Sequence, residues 1–243
     1  MKLEIDAGNT LVKWRLFDGN NIMVERGVVG SKKDIKSFFS DTYFFSKVSV
    51  LLISSVSEPG LEHDICKMFE EKSGSCKVFK ATSKKEMGGV CFVYDDVSRL
   101  GVDRCLAMVA AFNQINDGVL VVDCGSAMTA DFVLATGQHI GGYIFPGLRL
   151  LKGALLTGTS GVSVDIEVPR GYGLGKNTGE CVENGVNLMM KSTLLGLAKL
   201  AAQNDIEEIV LTGGDGELAQ ELLGEGIYDA DLVFKGLSLV GPY

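Results

Sequence analysis

Two short stretches of the sequence share one pattern of acid and glycine. IDAGNT at 5–10 and VDCGSA at 122–127 each follow an apolar run, and each places one residue between its Asp and its Gly. Asp, Gly and Asn are common in ordinary hairpin turns, so a turn alone explains either stretch. Glycine also lets the backbone approach a ligand, and a carboxylate is a good ligand for a hard cation. Because the pattern occurs twice, the sequence favours a pair of phosphate-binding turns.

The two turns carry groups that suit phosphoryl transfer. Asp6 and Asp123 could hold a cation, while backbone N–H groups and the hydroxyls of Thr10, Ser126 and Thr129 could bind phosphate oxygens. Phosphoryl transfer requires mainly positioning and neutralisation of charge from the protein. Lys13 could reach a terminal phosphate as a point charge, although spacing alone favours a solvated lysine on a strand.

A third stretch, LTGGDG at 211–216, follows a later apolar run. Gly213 and Gly214 would leave that strand end without side chains, so a flat ring such as adenine could lie against the backbone. A tight strand-to-helix connection needs the same glycines, and this stretch alone does not separate the two interpretations. Together with the paired turns it favours a nucleotide site.

LGVDR at 100–104 stands where a helix is expected to begin. An acid in the first turn of a helix interacts favourably with the helix dipole, and the residues alone favour that role for Asp103. The same carboxylate could accept the proton of a substrate hydroxyl. Its neighbour Arg104 could bind a substrate carboxylate.

Alternating strand and helix patterns around these stretches predict an α/β fold with a mixed sheet in each half. The strand–turn–strand pattern restarts after 116–118, so we predict domains over 1–116 and 117–243. Glycine-rich residues 157–179 are expected to form a loop region. The helix expected over 180–203 has apolar residues on several faces, which fits either full burial or contact with a second subunit. Strands are predicted at KLEIDAG, LVKWRLFDG, MVERGVVG, VSVLLISSV, CKVFKAT, within 119–147 and before LTGGDG; other helices are predicted over 31–40, near 62–73 and from 102.

Composition excludes several functional classes. The chain has 243 residues, 46% of them hydrophobic, and a net charge of -8, so it has no basic surplus for nucleic acid. No apolar run reaches the length of a membrane span, and no signal-peptide pattern is present, so we expect a cytoplasmic protein. The cysteines form no CxxC pair, which predicts a reducing compartment without disulfides or a zinc site.

DAGNTLVK, LGVDR, DCGSAMT, GGYIFPG and LTGGDG, in this order, resemble the motifs of type III pantothenate kinases. That family belongs to the actin/sugar-kinase/Hsp70-like ATPase superfamily. The resemblance implies two ribonuclease-H-like domains whose mixed sheets face a central nucleotide cleft. It implies ATP-dependent phosphorylation of pantothenate to 4'-phosphopantothenate, the first step towards coenzyme A. It also implies Mg²⁺, a monovalent cation (K⁺ or NH4⁺) and a homodimer with the substrate site at its interface.

The resemblance assigns roles residue by residue. Asp103 corresponds to the catalytic base and Asp123 to the ligand of the monovalent cation. Ser126, an ATP contact, stands where the family usually has Thr and keeps the hydroxyl. Val97 replaces a Pro common in the family, which leaves the rigidity of the loop after Tyr94 to be determined. The implied ATP-binding residues are Asp6, Ala7, Gly8, Asn9, Thr10, Leu11, Val12, Lys13 and Ser126, and the implied substrate-binding residues are Tyr94, Gly101, Val102, Asp103, Arg104 and Thr178.

Other functions remain open on the residues alone. A kinase or phosphatase-like ATPase of the same fold would need the same turns for a different acceptor. A non-catalytic regulator would not need Asp6, Asp103 and Asp123 together, and the acidic charge disfavours direct contact with DNA. An actin-like filament protein is disfavoured because the chain is short for the insertions that such proteins carry.

Overall fold

The computed structural model describes residues 1–30, 35–57, 60–73, 76–158 and 171–242, which divide into two compact units. Unit 1 consists of Met1–Asn113 and Asp231–Tyr243, and unit 2 of Gln114–Ala230. In chain order the elements are β1 (Lys2–Ala7), β2 (Val12–Phe17), β3 (Met23–Val29), α1 (Ile35–Asp41), β4 (Val50–Ser55), α2 (Leu61–Ser73), β5 (Lys77–Lys80), β6 (Glu86–Met87), β7 (Val90–Cys91), α3 (Val102–Ile115), β8 (Val119–Cys124), β9 (Ala127–Val133), β10 (His139–Pro146), α4 (Leu148–Gly158), α5 (Thr178–Ala202), β11 (Glu208–Thr212), α6 (Gly216–Leu223), β12 (Ile227–Tyr228) and α7 (Leu232–Val240).

The two units contain sheets of the same topology. The sheet of unit 1 has the order β3-β2-β1-β4-β5, and the sheet of unit 2 has the order β10-β9-β8-β11-β12. In each sheet the first three strands along the chain pair antiparallel, and the remaining two add in parallel. The α/β fold with a mixed sheet in each half is therefore confirmed.

The strands of unit 1 alternate between two faces, as the pleat requires. Leu3, Ile5 and Ala7 of β1 face a core shared with α1 and α2. Glu4 lies on the opposite face, where α7 packs against β1 and β4. The first unit is therefore a sheet with helices on both faces.

The C-terminal segment lies in a different unit from the one to which the predicted division at 116 assigned it. The chain from Asp231 onwards groups with unit 1, whereas the sequence placed it with the second half. Leu232, Phe234 and Leu237 of α7 are buried. Gly236 lies directly against the backbone of Leu106 in α3, where a side chain would not fit. The apolar pattern of α7 predicts a buried face but not the sheet that covers it.

Unit 2 buries its core between the sheet and the helices α4, α5 and α6. Leu120, Val122 and Cys124 of β8 contribute one row of this core. The 25-residue helix α5 crosses it with Val186, Met190 and Leu194 buried. This core packs against β8 as far as Cys124, the residue that follows Asp123.

The predicted elements compare closely with those observed, apart from their ends. The helix expected over 31–40 is observed as α1, and residues 31–34 lie outside the described part of the chain. The expected loop 157–179 begins within α4, and its residues 159–170 also lie outside the described part. The sequence did not predict α4, the short β6–β7 hairpin or α7. In the described residues no helix combines the length and apolarity that crossing a membrane would need.

Candidate active site

The first Asp-x-Gly turn joins β1 to β2 at one end of the unit 1 sheet. The Gly8 N–H donates to the Leu11 carbonyl at 3.0 Å and closes the turn. A Cβ at Gly8 would lie 3.2 Å from that same carbonyl oxygen, so the absence of a side chain keeps the turn tight. Leu11 and Asn9 are exposed, whereas Ala7 and Val12, at the ends of the two strands, are buried. The turn is therefore exposed, while the strand ends on either side of it are held in the core.

Asp6 lies between two polar residues on neighbouring strands. It pairs in register with Lys13 of β2 and with Ser54 of β4. Residues paired in register across a sheet share a face, so an acid, a base and a hydroxyl form one row. Ser54 is fully buried, and its hydroxyl has no hydrogen-bond partner among the described residues. The row favours binding of a charged polar group at this end of the sheet.

Asp103 follows a glycine that lies next to Val56 at the same end of the sheet. The N–H of Val56, just past β4, donates to the Ala7 carbonyl at 3.1 Å. A Cβ placed on Gly101 would lie 3.6 Å from the Val56 side chain and 2.5 Å from Oδ1 of Asp103. Glycine at 101 therefore makes room for the Asp103 carboxylate beside the strand ends. The structure brings the first turn and LGVDR together within unit 1.

The Asp103 carboxylate is held at the first turn of α3. Its Oδ1 accepts the backbone N–H of Arg104 at 2.8 Å. Val102, which precedes it, is buried and anchors the start of the helix. Asp103 itself is partly exposed.

Arg104 and Tyr94 contact each other directly. Nη1 of Arg104 donates to the Tyr94 hydroxyl at 3.1 Å, and its guanidinium lies 5.8 Å from the centre of the Tyr94 ring. Arg104 is only 8% exposed, so most of the residue is enclosed by the protein. A guanidinium fixed in this way is suited to recognising a carboxylate. Two of the residues expected at the substrate site are therefore neighbours.

The loop between Tyr94 and LGVDR is ordered without the proline common in the family. The Asp96 carboxylate accepts the Ser98 N–H at 3.1 Å and caps a 3-10 turn over Val97–Arg99. The Leu100 N–H donates to the Val97 carbonyl at 3.0 Å. The Ser83 hydroxyl, from the segment after β5, donates to the Leu100 carbonyl at 2.6 Å. These bonds provide the rigidity that a proline would otherwise supply.

The second Asp-x-Gly turn repeats the arrangement in unit 2. Asp123 is the fifth residue of β8, as Asp6 is of β1, and it pairs in register with Thr129 of β9 and Thr212 of β11. The three residues form a row of oxygen ligands on one face of the sheet. Thr212 is 2% exposed. Carboxylate and hydroxyl oxygens suit hard cations such as K⁺ and Mg²⁺, so these residues fit the implied ion.

Two glycines pack directly against the second turn. Gly213, with φ of 88°, lies against the Asp123 carboxylate and the Cys124 carbonyl, and a side chain there would overlap both. Gly147 lies in the same way against the carbonyls of Gly125 and Ser126. The Asp215 N–H donates to the Cys124 carbonyl at 2.9 Å. DCGSA, FPG and TGGDG, far apart in sequence, thus meet at one end of the unit 2 sheet.

Cys124 is a structural residue within this second turn. Burial is the main cause that raises the pKa of its thiol to about 12, and the charges of Asp123 and Asp215 add to the effect. A thiol with such a pKa remains protonated at neutral pH and is a poor nucleophile. The chemistry of this turn is therefore carried by oxygen and backbone groups.

Thr178 is the first residue of α5 and is exposed. Asn177 before it accepts the Glu180 N–H at 2.9 Å, and Glu180 accepts in turn from Nδ2 of Asn177 at 2.9 Å and from the Lys176 N–H at 2.8 Å. This reciprocal capping fixes the first turn of the helix. The Thr178 hydroxyl is thus carried on a rigid surface position of unit 2.

Some residues of the site were not found from the sequence. Ser54 and Thr212 complete the rows around Asp6 and Asp123, but each follows an apolar run as many strand residues do. Only the pairing register reveals them. Ser83 acts through a backbone carbonyl, for which sequence carries no signal. Among the described residues no cluster of three or more His, Cys, Asp or Glu side chains is placed to hold a metal ion.

Comparison with known proteins agrees with this geometry. A family model described as type III pantothenate kinase matches residues 2–199. A type III pantothenate kinase from Pseudomonas fluorescens (strain Pf0-1) is 34% identical over 249 residues, covering 100% of this chain and 99% of the relative.

Solved structures of similar fold are more distant in sequence. A Campylobacter jejuni protein assigned to the Baf family of transcriptional activators aligns with a TM-score of 0.59 and 22% identity, over 98% of this chain and 96% of its own. A Sinorhizobium meliloti protein assigned as a 2-dehydro-3-deoxygalactonokinase aligns with a TM-score of 0.59 and 14% identity, over 98% and 95%. These similarities show the fold of this chain, which is also the fold of a protein assigned as a kinase.

Proposed function

This chain belongs to the type III pantothenate kinase family, and we propose that it transfers the γ-phosphoryl group of ATP to the primary hydroxyl of pantothenate. The observation that carries the proposal is the contact from the end of β1 through Val56 to Gly101 and Asp103. It places the turn that we propose to bind phosphate near a carboxylate of the same unit. Transfer to an alcohol requires these two parts next to each other.

Asp103 is proposed as the base that orients the substrate hydroxyl and receives its proton late in the transfer. A carboxylate cannot deprotonate an alcohol in the ground state, but it can accept the proton as the phosphoryl bond forms. The hydrogen bond from the Arg104 N–H to Oδ1 fixes the Asp103 carboxylate at the first turn of α3. Gly101 and Val102 would line the same site.

Arg104 and Tyr94 are proposed to hold pantothenate itself. Pantothenate carries a carboxylate, and a buried guanidinium fixed by a tyrosine hydroxyl offers a defined partner for it. This pairing explains how a chain with a net charge of -8 could bind an anion, because the attraction acts locally, within a Debye length of about 8 Å.

ATP is proposed to bind both Asp-x-Gly turns. The backbone from Asp6 to Lys13 and the Ser126 hydroxyl would contact phosphate oxygens, and the glycines at 213 and 214 would lie against adenine. Mg²⁺ on the phosphates and a monovalent cation near Asp123, K⁺ or NH4⁺, would neutralise charge that develops during transfer. The row of Thr129, Asp123 and Thr212 supports the second ion by its oxygen ligands.

A homodimer is proposed to complete the substrate site, with Thr178 supplied by the partner. Support comes from the apolar surface of α4 and α5, where Leu150, Leu188, Met189 and Leu195 are each about half exposed. The two helices pack against each other, and exposed apolar surface on neighbouring elements is typical of interaction sites. The cysteines of the chain are free, which supports a reducing compartment such as the cytoplasm.

The acceptor is tested by incubating the protein with MgATP, K⁺ and one candidate at a time, with the product identified by mass spectrometry. Pantothenate should be converted to 4'-phosphopantothenate, while 2-dehydro-3-deoxygalactonate and glucose should remain unmodified. Phosphorylation of a sugar acid instead would move the function to another kinase of this fold.

A regulatory function is the alternative, since the Campylobacter jejuni protein of similar fold is assigned as a transcriptional activator. At 22% identity that similarity carries the fold alone. Binding of ATP without turnover of any acceptor would favour regulation.

A further inference from the structure

We propose that the β6–β7 hairpin positions Tyr94 and that Asn113, at the far end of α3, fixes this hairpin in place. Asn113 is thus a positioning residue for the anionic substrate. The inference rests on the proposed substrate role of Tyr94 and Arg104.

The hairpin has the features of a rigid element despite its short strands. Gly88 and Gly89 have φ of 52° and 85°, the combination that a two-residue turn between antiparallel strands favours. The Phe92 N–H donates to the Lys85 carbonyl at 2.9 Å, which extends the pairing beyond β7. Val90 and Phe92 are fully buried, so the second strand is anchored in the core two residues before Tyr94.

The tip of the hairpin is attached to the last turns of α3. Nδ2 of Asn113 donates to the Gly88 carbonyl at 2.7 Å and to the Val109 carbonyl at 2.8 Å. Gly88 lies against the Val109 side chain, and a Cβ on Gly89 would lie 3.5 Å from the Phe112 ring. One amide therefore ties the hairpin to the helix at a point where the turn touches it closely.

The other end of the hairpin is attached to the first turn of α3. Tyr94 accepts the hydrogen bond from Arg104, and Nζ of Lys85 donates to the Tyr94 carbonyl at 3.0 Å. Arg104 and Asn113 are nine positions apart, about 14 Å along a helix. The hairpin is thus held against α3 at two points. Loss of the distant one would let Tyr94 shift relative to Arg104.

The test compares steady-state kinetics of the wild type with N113A and N113D, which remove the donor with and without a change of size. The KM for pantothenate should rise about tenfold in both, with kcat and the KM for ATP little changed, because only substrate placement is affected. N204A is the matched control. Nδ2 of Asn204 also donates to a carbonyl four residues earlier, 2.8 Å away on Leu200 of α5, and its loss should leave both KM values unchanged.

A double-mutant cycle separates positioning from general destabilisation. N113A should add no further increase in the pantothenate KM when Tyr94 is already replaced by Ala, because the residue that Asn113 positions is then absent. A full additive effect in that background would overturn the proposal. Equal increases of both KM values in N113A would overturn it as well.

Hydrogen exchange makes the inference independent of turnover. Amides of 90–94 should exchange faster in N113A than in the wild type, while those of unit 2 should not change. Unchanged exchange at 90–94 would contradict the attachment, whatever the kinetics. If the wild type fails to phosphorylate pantothenate but this exchange difference is present, the proposed function fails and the role of Asn113 in fixing the hairpin stands.

Discussion

At the scale of single residues, the proposed chemistry depends on how closely the backbone approaches the carboxylates. Gly101 leaves room for Asp103, and Gly213 leaves room for Asp123. Each carboxylate therefore lies so close to the main chain that a side chain at 101 or 213 would overlap it. Because of this close approach, substitutions can test the role of each carboxylate.

Replacing Asp103 by Asn removes the proton acceptor and keeps the shape. We expect kcat to fall by about 10²–10⁴-fold, because general-base catalysis contributes on that order, while ATP binding is retained. Turnover and nucleotide affinity should be measured on the same preparation. Full activity of D103N would remove Asp103 from the mechanism.

Replacing Gly101 by Ala places a Cβ only 2.5 Å from Oδ1 of Asp103, which is too close for both atoms to remain in place. The carboxylate must move, so we expect kcat/KM for pantothenate to fall by roughly 10²-fold, since displacement of a reacting group by about 1 Å has that effect. G19A is the control, because a side chain at Gly19 meets nothing within 4 Å. Equal activities of G101A and G19A would contradict the placement of Asp103.

Thiol labelling tests the local environment of the second turn. Cys124 is buried and its pKa is raised to about 12, whereas Cys181 is exposed. Iodoacetamide at pH 8 should therefore modify Cys181 rapidly in the folded protein and Cys124 only after unfolding, as peptide mass spectrometry would show. Early modification of Cys124 would mean that the turn is open to solvent.

At the scale of elements, a buried ion pair fixes the C-terminal helix to the strand that carries Asp6. Arg15 of β2 contacts the fully buried carboxylate of Glu4 in β1, with Nε at 3.1 Å from Oε2. Ser238 of α7 donates to the other oxygen of Glu4 at 2.8 Å. Arg15 also lies 3.5 Å from Asp231, at the start of α7. Three elements thereby converge on one carboxylate.

Replacing Arg15 by Met leaves this carboxylate in the core without its main counter-charge. The free energy of unfolding should fall by about 3 kcal/mol, because the fully buried Glu4 loses both hydrogen bonds from Arg15 and keeps, among the described residues, only Lys2, 3.1 Å from its Oε1, as a counter-charge. Arg26 contacts Asp231 at 3.2 Å from an exposed side chain, so R26M should cost under about 1 kcal/mol. Urea unfolding followed by fluorescence of Trp14, the single Trp and buried in unit 1, would measure both. Equal losses in the two variants would contradict the account of this cluster.

Sequence patterns predicted the elements that carry the two turns better than those that support them. β1, β2, β8 and β9 follow from alternating apolar residues around Asp-x-Gly, and α3 follows from its helical spacing. The β6–β7 hairpin has two residues in each strand, too few for a period to be visible. The role of α7 depends on which sheet covers it, and that is decided by packing between distant segments rather than by local pattern.

The candidate site shows the same limit. Asp6 and Asp123 were singled out because the Asp-x-Gly pattern occurs twice, and Asp103 received its catalytic role from the resemblance to the family. Ser54 and Thr212 were missed because their role arises only from the strand register, which a sequence of apolar runs does not specify. Tyr94 was identified by resemblance to the family, and its contact with Arg104 comes from the structure.

At the scale of the whole molecule, the chain uses one topology twice. Both sheets follow the same strand order, and both place an acid at the fifth position of the first strand. The repeated VDCGSA pattern therefore reflects a repeated structural unit and not two unrelated turns. The units differ in their helices, and the exposed apolar face of α5 belongs to unit 2 alone.

The proposed homodimer is tested on that face. L188E introduces a charge on a leucine that is 59% exposed on α5, so it should halve the mass in solution and lower turnover without changing the stability of each unit. I22E, at an equally exposed apolar residue of unit 1, is the control and should leave the mass unchanged. A wild-type protein that is monomeric and fully active would contradict the shared site.

The most direct measurement is ADP release from MgATP, with and without pantothenate, in K⁺ and then in Na⁺ alone. The account predicts turnover that requires pantothenate and is much faster in K⁺, because the acceptor site and the cation row near Asp123 must both be filled. ADP release that is independent of pantothenate, or equal in the two salts, would contradict the acceptor or the ion site respectively.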